Sequence, residues 1–153
     1  MKKLLLLVVM LIFVSCAEPD YSEEKKIVIR KIPRVVLKLT LGAGANFDFD
    51  KSVLKHKDIP KLDDFIEQIK DLKGTIIIVG HTDTNGSYAY NDRLSMRRAS
   101  AIRNYMAKRL DFNNYDLKVS GKGEREPIYK PEKSISEMAA NRRVEITFIE
   151  AEK

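Results

Sequence analysis

Cysteine occurs once in the 153 residues, at Cys16, and tryptophan does not occur at all. A lone cysteine excludes an internal disulfide framework and a cysteine-based zinc knuckle. The two histidines, His56 and His81, are too few for a histidine-rich metal site. Charge of one sign is also scarce. Lys plus Arg outnumber Asp plus Glu by 28 to 22, and the resulting net +6 is modest and interspersed, so it does not demand a nucleic-acid partner. What is present suffices for a core: 44% of residues are hydrophobic, with six Tyr and six Phe. That composition excludes disorder over most of the length and fits one ordinary globular domain, with no room for a second.

The longest apolar run lies at the start. Met1-Lys2-Lys3 is basic, and Leu4 to Val14 follows as eleven uninterrupted apolar residues. At about 1.5 Å per residue, such a helix reaches roughly half of a hydrocarbon core about 30 Å thick, so it is too short for a stable span. It reads as the apolar region of a signal peptide. A buried N-terminal strand or helix would need a periodicity or polar punctuation that the run lacks. Phe13-Val14-Ser15-Cys16 resembles the bacterial lipoprotein cleavage box, with Phe13 where Leu is usual. The resemblance implies that residues 1–15 are removed and that Cys16 is lipid-modified, an anchor and not a nucleophile. By analogy with sorting rules, Ala17 after the cysteine directs the protein to the outer membrane. Loss of Lys2 and Lys3 would lower the net charge to +4. Residues 16–33 are polar around Pro19 and read as a tether reaching at most roughly 50–60 Å when extended.

Residues 34–150 form the expected domain, in which strands and helices alternate. Val35, Leu37, Leu39 and Leu41 alternate with Val36, Lys38 and Thr40, the period of a half-buried strand. Gly42-Ala43-Gly44 breaks it and lacks the third glycine and directly following helix of a dinucleotide fingerprint. Ile59, Leu62, Phe65, Ile66, Ile69 and Leu72 recur at helical spacing, with Pro60 early and Gly74 just past the end. Thr75 to Val79 is nearly continuous apolar sequence, as in a central strand covered on both faces. A second helix is expected from about Asn91 to Leu110, and further strands at Leu117 to Ser120 and Arg143 to Ile149. These elements predict an α/β sandwich: a mixed sheet of about four strands backed on one side by two main helices.

One residue breaks the helical pattern. Leu94, Arg98, Ile102, Met106 and Leu110 run at a spacing of four, which sets Arg98 in a stripe that should face the sheet. A guanidinium there needs an anionic partner or a polar cleft. The loop Gly80-His81-Thr82-Asp83-Thr84-Asn85-Gly86 leaves the C-terminal end of the buried strand, where open α/β sheets bind ligands. A carboxylate at Asp83 and a guanidinium at Arg98 match a zwitterion, ammonium on the first and carboxylate on the second. The residues equally allow Asp83 and Arg98 to pair with each other. Arg142 shares parity with the inward Val144, Ile146 and Phe148, and a second inward Arg favours a carboxylate ligand.

The string Gly80-His81-Thr82-Asp83, then Gly86, then Asn91-x-x-Leu94-Ser95-x-x-Arg98-Ala99, and finally Asn141-Arg142-Arg143-Val144-Glu145-Ile146 resembles the OmpA C-terminal-like family of peptidoglycan-binding domains. Phe47-Asp48-Phe49-Asp50-Lys51-Ser52 resembles it upstream, so the likeness runs from about Val35 to Ile149. Within the family the chain is most similar to the peptidoglycan-associated lipoproteins: the motor type carries a longer membrane helix, the porin type an eight-stranded barrel. The resemblance implies a non-catalytic domain, without a cofactor, that binds the diaminopimelate of the wall's stem peptide and ties the outer membrane to the wall from the periplasm. It sets Asp83 on that residue's ammonium and Arg98 on its carboxylate. Asp48, Thr82, Asn91, Leu94 and Arg142 fall at the family's remaining pocket positions, while His81 is read as structural.

Other classes fare less well. Catalysis by His81 and Asp83 would lack a nucleophile, because Ser87 and Ser95 have no second histidine beside them and His56 lies in a Lys-rich loop. A zinc site needs three or four ligands, and these two residues supply two. A nucleic-acid surface would draw on Lys122, Arg125, Lys130, Lys133, Arg142 and Arg143, but an exported domain does not meet nucleic acid. The stronger alternative is a protein-interaction module that meets Tol-like envelope proteins. The anchor reading has a direct test: Cys16→Ala should move the protein from the membrane fraction to the soluble fraction on cell fractionation, and retention on the membrane refutes lipidation at Cys16.

Overall fold

The computed structural model describes residues 35–42 and 56–152. The chain divides into two units, Met1–Lys31 and Ile32–Lys153, and every described residue belongs to the second. The signal segment, the tether with Cys16, and the Phe47 to Ser52 block with Asp48 all lie outside the described residues.

Four strands, β1 (Val35–Gly42), β2 (Gly74–Gly80), β3 (Tyr115–Gly121) and β4 (Arg143–Glu150), form one sheet in the order β1-β4-β2-β3. β4 pairs antiparallel with both β1 and β2, and β3 pairs parallel with β2. Three helices accompany them: α1 (Ile59–Ile69), α2 (Tyr88–Met106) and α3 (Ile135–Asn141). The parallel β2–β3 pair cannot be closed by a tight turn, and α2 is the crossover between them. The mixed four-stranded α/β sandwich expected from the sequence is the observed architecture.

Alternation decides which side is buried. Ile76 and Ile78 of β2 line up with Phe148 and Ile146 of β4, and Leu39 and Leu41 of β1 continue the same face. Onto it pack Leu62, Phe65, Ile66 and Ile69 of α1, spaced 3-1-3, and Ala99, Ile102 and Met106 of α2. Each fully buried aliphatic side chain here contributes roughly 1.5–3 kcal/mol. Tyr115 closes the lower end, its ring edge-on to Phe148 at 6.2 Å and its hydroxyl donating to the Ile69 carbonyl at 2.7 Å. That burial raises the Tyr115 pKa above its ordinary 10.0 and keeps the donor protonated.

Several sequence expectations are corrected. β2 is not covered on both faces: Ile77 and Val79 are only half-buried. α1 and α2 pack on the face of Ile76 and Ile78, and on the other face Ile77 stands in register between Thr147 and Lys118. α1 ends at Ile69, short of the Leu72 expected in its stripe, because the Leu72 N–H turns back to the Ile69 carbonyl, and Gly74 opens β2. α2 begins at Tyr88, three residues before the expected start, because the Ser87 hydroxyl accepts from the Tyr90 N–H and caps it. Leu110 lies beyond the helix yet stays buried, held by its N–H on the Met106 carbonyl. The short α3 was not anticipated, although Ser134-Ile135-Ser136-Glu137 is a capping box that signals it.

α2 lies in close backbone approach to the ends of β2 and β3. A Cβ at Gly80 would collide with the Ser95 carbonyl, and one at Gly121 would meet the Ser95 hydroxyl and Met96 amide at 2.5 Å. Ser95 fastens the crossing by donating to the Asp92 carbonyl and accepting from the Gly123 N–H, both at 2.9 Å. Gly80→Ala should therefore destabilise the domain by about 2 kcal/mol or more in urea denaturation, because neither backbone can yield without lifting the helix. Unchanged stability would show that the contact is looser than the geometry requires.

Candidate functional site

The C-terminal end of β2 runs into His81, Thr82 and Asp83, each buried. The loop is tied down by its backbone: the His81 N–H donates to the Arg143 carbonyl and the Thr82 N–H to the Gly123 carbonyl, both at 2.9 Å. Gly86, at φ +107°, then turns the chain into α2 in a conformation that disfavours a side chain. Asp83 is 4% exposed and Arg98, nearly three turns into α2, is 1% exposed. The stripe reading of Arg98 was correct. Its Nη1 donates to the His81 carbonyl at 3.3 Å, which brings the guanidinium to the strand end that carries Asp83.

Asp83 forms an ion pair within the domain, and its partner is Arg142. Its Oδ2 meets Nη1 of Arg142 at 2.5 Å, while Oδ1 accepts from the Asn85 N–H at 3.3 Å and Oδ2 from the Asn85 side-chain amide at 3.4 Å. Arg142 is the residue that caps α3, one position before β4, and its parity with Val144 points it at the site as expected. Within the domain the Asp83 carboxylate thus has a counter-ion in Arg142.

The other named residues fall around this pair. Asn91 is buried on the first turn of α2, its amide donating to the Asp83 carbonyl at 3.3 Å and to Glu124 at 2.5 Å. Its Oδ1 and the Thr82 hydroxyl are buried without a hydrogen-bond partner, leaving acceptor and donor capacity for a ligand. Leu94 is buried one turn further along the same helix. Asp48 lies outside the described residues.

Sequence reasoning missed the scaffold behind the site. Asn141 accepts from the Ile128 and Tyr129 N–H groups at 2.7 and 3.1 Å and donates to Glu132 at 2.6 Å. Glu132 in turn accepts from the Thr84 N–H and hydroxyl at 3.1 and 2.6 Å, stitching the segment before α3 to the site loop. Burial opposes ionisation of Glu132, but the hydrogen bonds from Thr84 and Asn141 outweigh it and hold its carboxyl below the usual value. Only the Asp83-Thr84-Asn85 spacing, which suits a side chain bonding the backbone two residues on, could have flagged Asn85 in advance. The Thr84–Glu132 contact spans 48 residues and leaves no local mark.

His81 stands apart from the binding groups. Both its ring nitrogens are buried without hydrogen-bond partners, and Nε2 lies 4.0 Å from Glu145. Arg143 closes over the same region, its Nε on Glu145 at 2.6 Å and its Nη2 on the Glu126 carbonyl at 3.1 Å. Among the described residues no three His, Cys, Asp or Glu side chains converge as metal ligands, and no helix is long and apolar enough to cross a membrane.

A four-stranded α/β sandwich with a buried acid, a buried guanidinium and a second, half-buried guanidinium at the C-terminal end of β2 is an OmpA-like architecture. The OmpA family model matches residues 46–142, and the chain belongs to the OmpA family. It is 41% identical over 119 residues to Outer membrane protein A of Bordetella avium, across 76% of this chain and 59% of that one. It is 34% identical over 137 residues to Outer membrane porin F of Pseudomonas aeruginosa, across 88% and 38%. The chain therefore spans between 38% and 59% of the length of these two relatives. Among solved structures, the periplasmic domain of Helicobacter pylori MotB matches with TM-score 0.62 at 20% identity, covering 75% of this chain and 76% of that one. The peptidoglycan-associated lipoprotein of Burkholderia pseudomallei matches with TM-score 0.57 at 23% identity, covering 68% and 87%. Both share the fold.

Burial, and next the charge of Arg143, push the His81 pKa below its ordinary 6.5. Between the two values the unfolded chain binds the proton and the folded one does not, so the contribution is present above pH 6.5 and is lost as pH falls through the folded value. The urea midpoint should accordingly drop between about pH 7.5 and 5.5. His81→Phe, which forfeits no hydrogen bond, should flatten that slope. An equally steep slope in the variant would assign the proton uptake to another group.

Proposed function

We propose that this domain binds peptidoglycan without altering it and links the outer membrane to the wall from the periplasm. The observation that carries the reading is the burial of an acid and a guanidinium, Asp83 and Arg98, at one strand end. Charges so deeply withdrawn from water are costly unless well partnered, and a site that retains them is suited to a ligand bearing both signs. In this reading Asp83 receives the free ammonium of the diaminopimelate in the stem peptide, and Arg98 its carboxylate. Thr82 and Asn91 lend their spare hydrogen-bonding atoms, and Leu94 packs beneath. Asp48 belongs to the same pocket by its place in the family motif. The role is non-catalytic in this reading, and the buried hydroxyl of Ser95 on α2 is committed to structural hydrogen bonds with the Asp92 carbonyl and the Gly123 N–H.

The remaining parts follow from the leader. Lipid on Cys16 confines the domain near a polymer that presents many copies of one stem, so each site needs only modest affinity. This is the arrangement of a peptidoglycan-associated lipoprotein. A second reading, a module docking Tol-like envelope proteins, draws support from the large apolar side chains of Ile128, Tyr129 and Ile135, which are 54%, 45% and 82% exposed near the Asn141 scaffold.

Asp83→Ala and Arg98→Ala should each reduce co-sedimentation with purified murein sacculi by more than about tenfold while the circular dichroism spectrum is retained. A variant that pellets like the parent overturns the clamp. Unfolding of both would make the two charges structural.

A further inference from the structure

The side of α2 turned away from the sheet carries charge of one sign. Between Asp92 and Asp111 the chain has six Arg or Lys residues and no acid. Two of the six are engaged within the fold: Arg98 is buried, and Arg109 pairs with Asp63 at 3.1 Å, its guanidinium 3.8 Å from the centre of the Tyr105 ring. Arg93, Arg97, Arg103 and Lys108 remain exposed, and among the described residues no carboxylate closes a salt bridge on any of them. At about 3.6 residues per turn, Arg93, Met96, Arg97 and Arg103 share an arc of about 120° opposite the buried Arg98 and Ile102, and the three arginines span about 15 Å along the axis. The only acid of the helix, Asp92, is held by Arg125, with Nη2 on Oδ2 at 2.8 Å, and does not offset them. The neighbouring α1 has the reverse balance, with Asp63, Asp64 and Glu67 against Lys61. The basic face is therefore local to α2 and not a reflection of the net charge.

Such a row is unfavourable by itself, because Arg93 and Arg97 are like charges four residues apart on one helix. An external anion removes that cost. The side of a helix is convex, so its guanidinium groups do not converge on one ligand atom; they lie along a surface and suit an array of anions. Guanidinium binds phosphate oxygens in a bidentate fashion, and Met96, 42% exposed between the arginines, adds a flexible apolar side chain to the row. We infer that the outward face of α2 docks on an anionic phospholipid bilayer, with headgroup phosphates on Arg93, Arg97 and Arg103 and Met96 entering between them. In the proposed role a bilayer stands beside the domain. The inference goes beyond the wall-binding reading and shares no residue with that site, whose side chains leave α2 on the opposite, buried side.

The test is co-sedimentation of the full chain, carrying Cys16→Ala so that no acyl chain contributes, with vesicles of phosphatidylcholine alone or with about 30% phosphatidylglycerol. The apolar leader contributes alike to every variant, so comparisons isolate the charge. Each basic side chain at an anionic surface strengthens binding roughly fivefold, so Arg93→Gln, Arg97→Gln and Arg103→Gln together should weaken partition onto the anionic vesicles by about a hundredfold and leave the neutral ones unchanged. Removing three exposed charges elsewhere, with Lys38→Gln, Lys73→Gln and Lys118→Gln, should cost less than about fivefold. An equal loss in the two triple variants makes the attraction diffuse and overturns the proposal, as does parent binding that fails to prefer the anionic vesicles or to weaken as salt rises. Self-association without vesicle binding, abolished by the arginine variant, also overturns it and gives the face to the acidic α1 of a second copy. Should the arginine variant not fold, an environment-sensitive dye decides: attached at Met96→Cys it should shift to the blue on anionic vesicles, whereas at Lys118→Cys it should not. An unshifted dye at the first position refutes the docking. Sacculus binding is scored separately on the pocket variants, so failure here leaves the wall-binding reading standing.

Discussion

The site depends on a steric constraint, the close crossing of α2 over the ends of β2 and β3. Gly80 and Gly121 leave the space that lets the helix backbone lie on the strand backbones, and Ser95 locks it there from both sides. One helical turn beyond Ser95, the Arg98 side chain is thereby buried against the carbonyl of His81. With a side chain at either glycine, the helix would ride higher and the guanidinium would lose that reach. A packing feature at the edge of the core thus decides the position of a charge.

Electrostatics then organises the opening. Asp83 and Arg142 neutralise each other where water is scarce, and the Asn141–Glu132–Thr84 chain of hydrogen bonds holds the segments on either side in register. Both carboxylates are held by several donors, which satisfies their charge away from water. His81 and Arg143 belong to a separate cluster around Glu145.

In the proposed role these features serve a tether under many weak contacts. Lipid on Cys16 would keep the domain near the membrane, and the site would select a repeated chemical group on the wall. The strength of the link then arises from repetition and confinement.

Much of this was legible along the chain. The alternation in β1 and β4, the 3-1-3 spacing of α1 and the position of Arg98 within an apolar stripe are local patterns with fixed geometric meaning, so they named the fold and one half of the site. The Asn91 to Ala99 and Asn141 to Ile146 blocks identified the family. The start of α2, the existence of α3 and the one-sided cover of β2 were misread or missed because a single cap, a seven-residue helix and the layer order carry weak periodic signals. By itself the sequence determined which residues alternate inward, and hence that an acid and two arginines converge near one strand end. Only the tertiary structure decided that Asp83 pairs with Arg142, 59 residues away, since which of two buried cations meets a carboxylate depends on side-chain reach across strands and not on spacing along the chain.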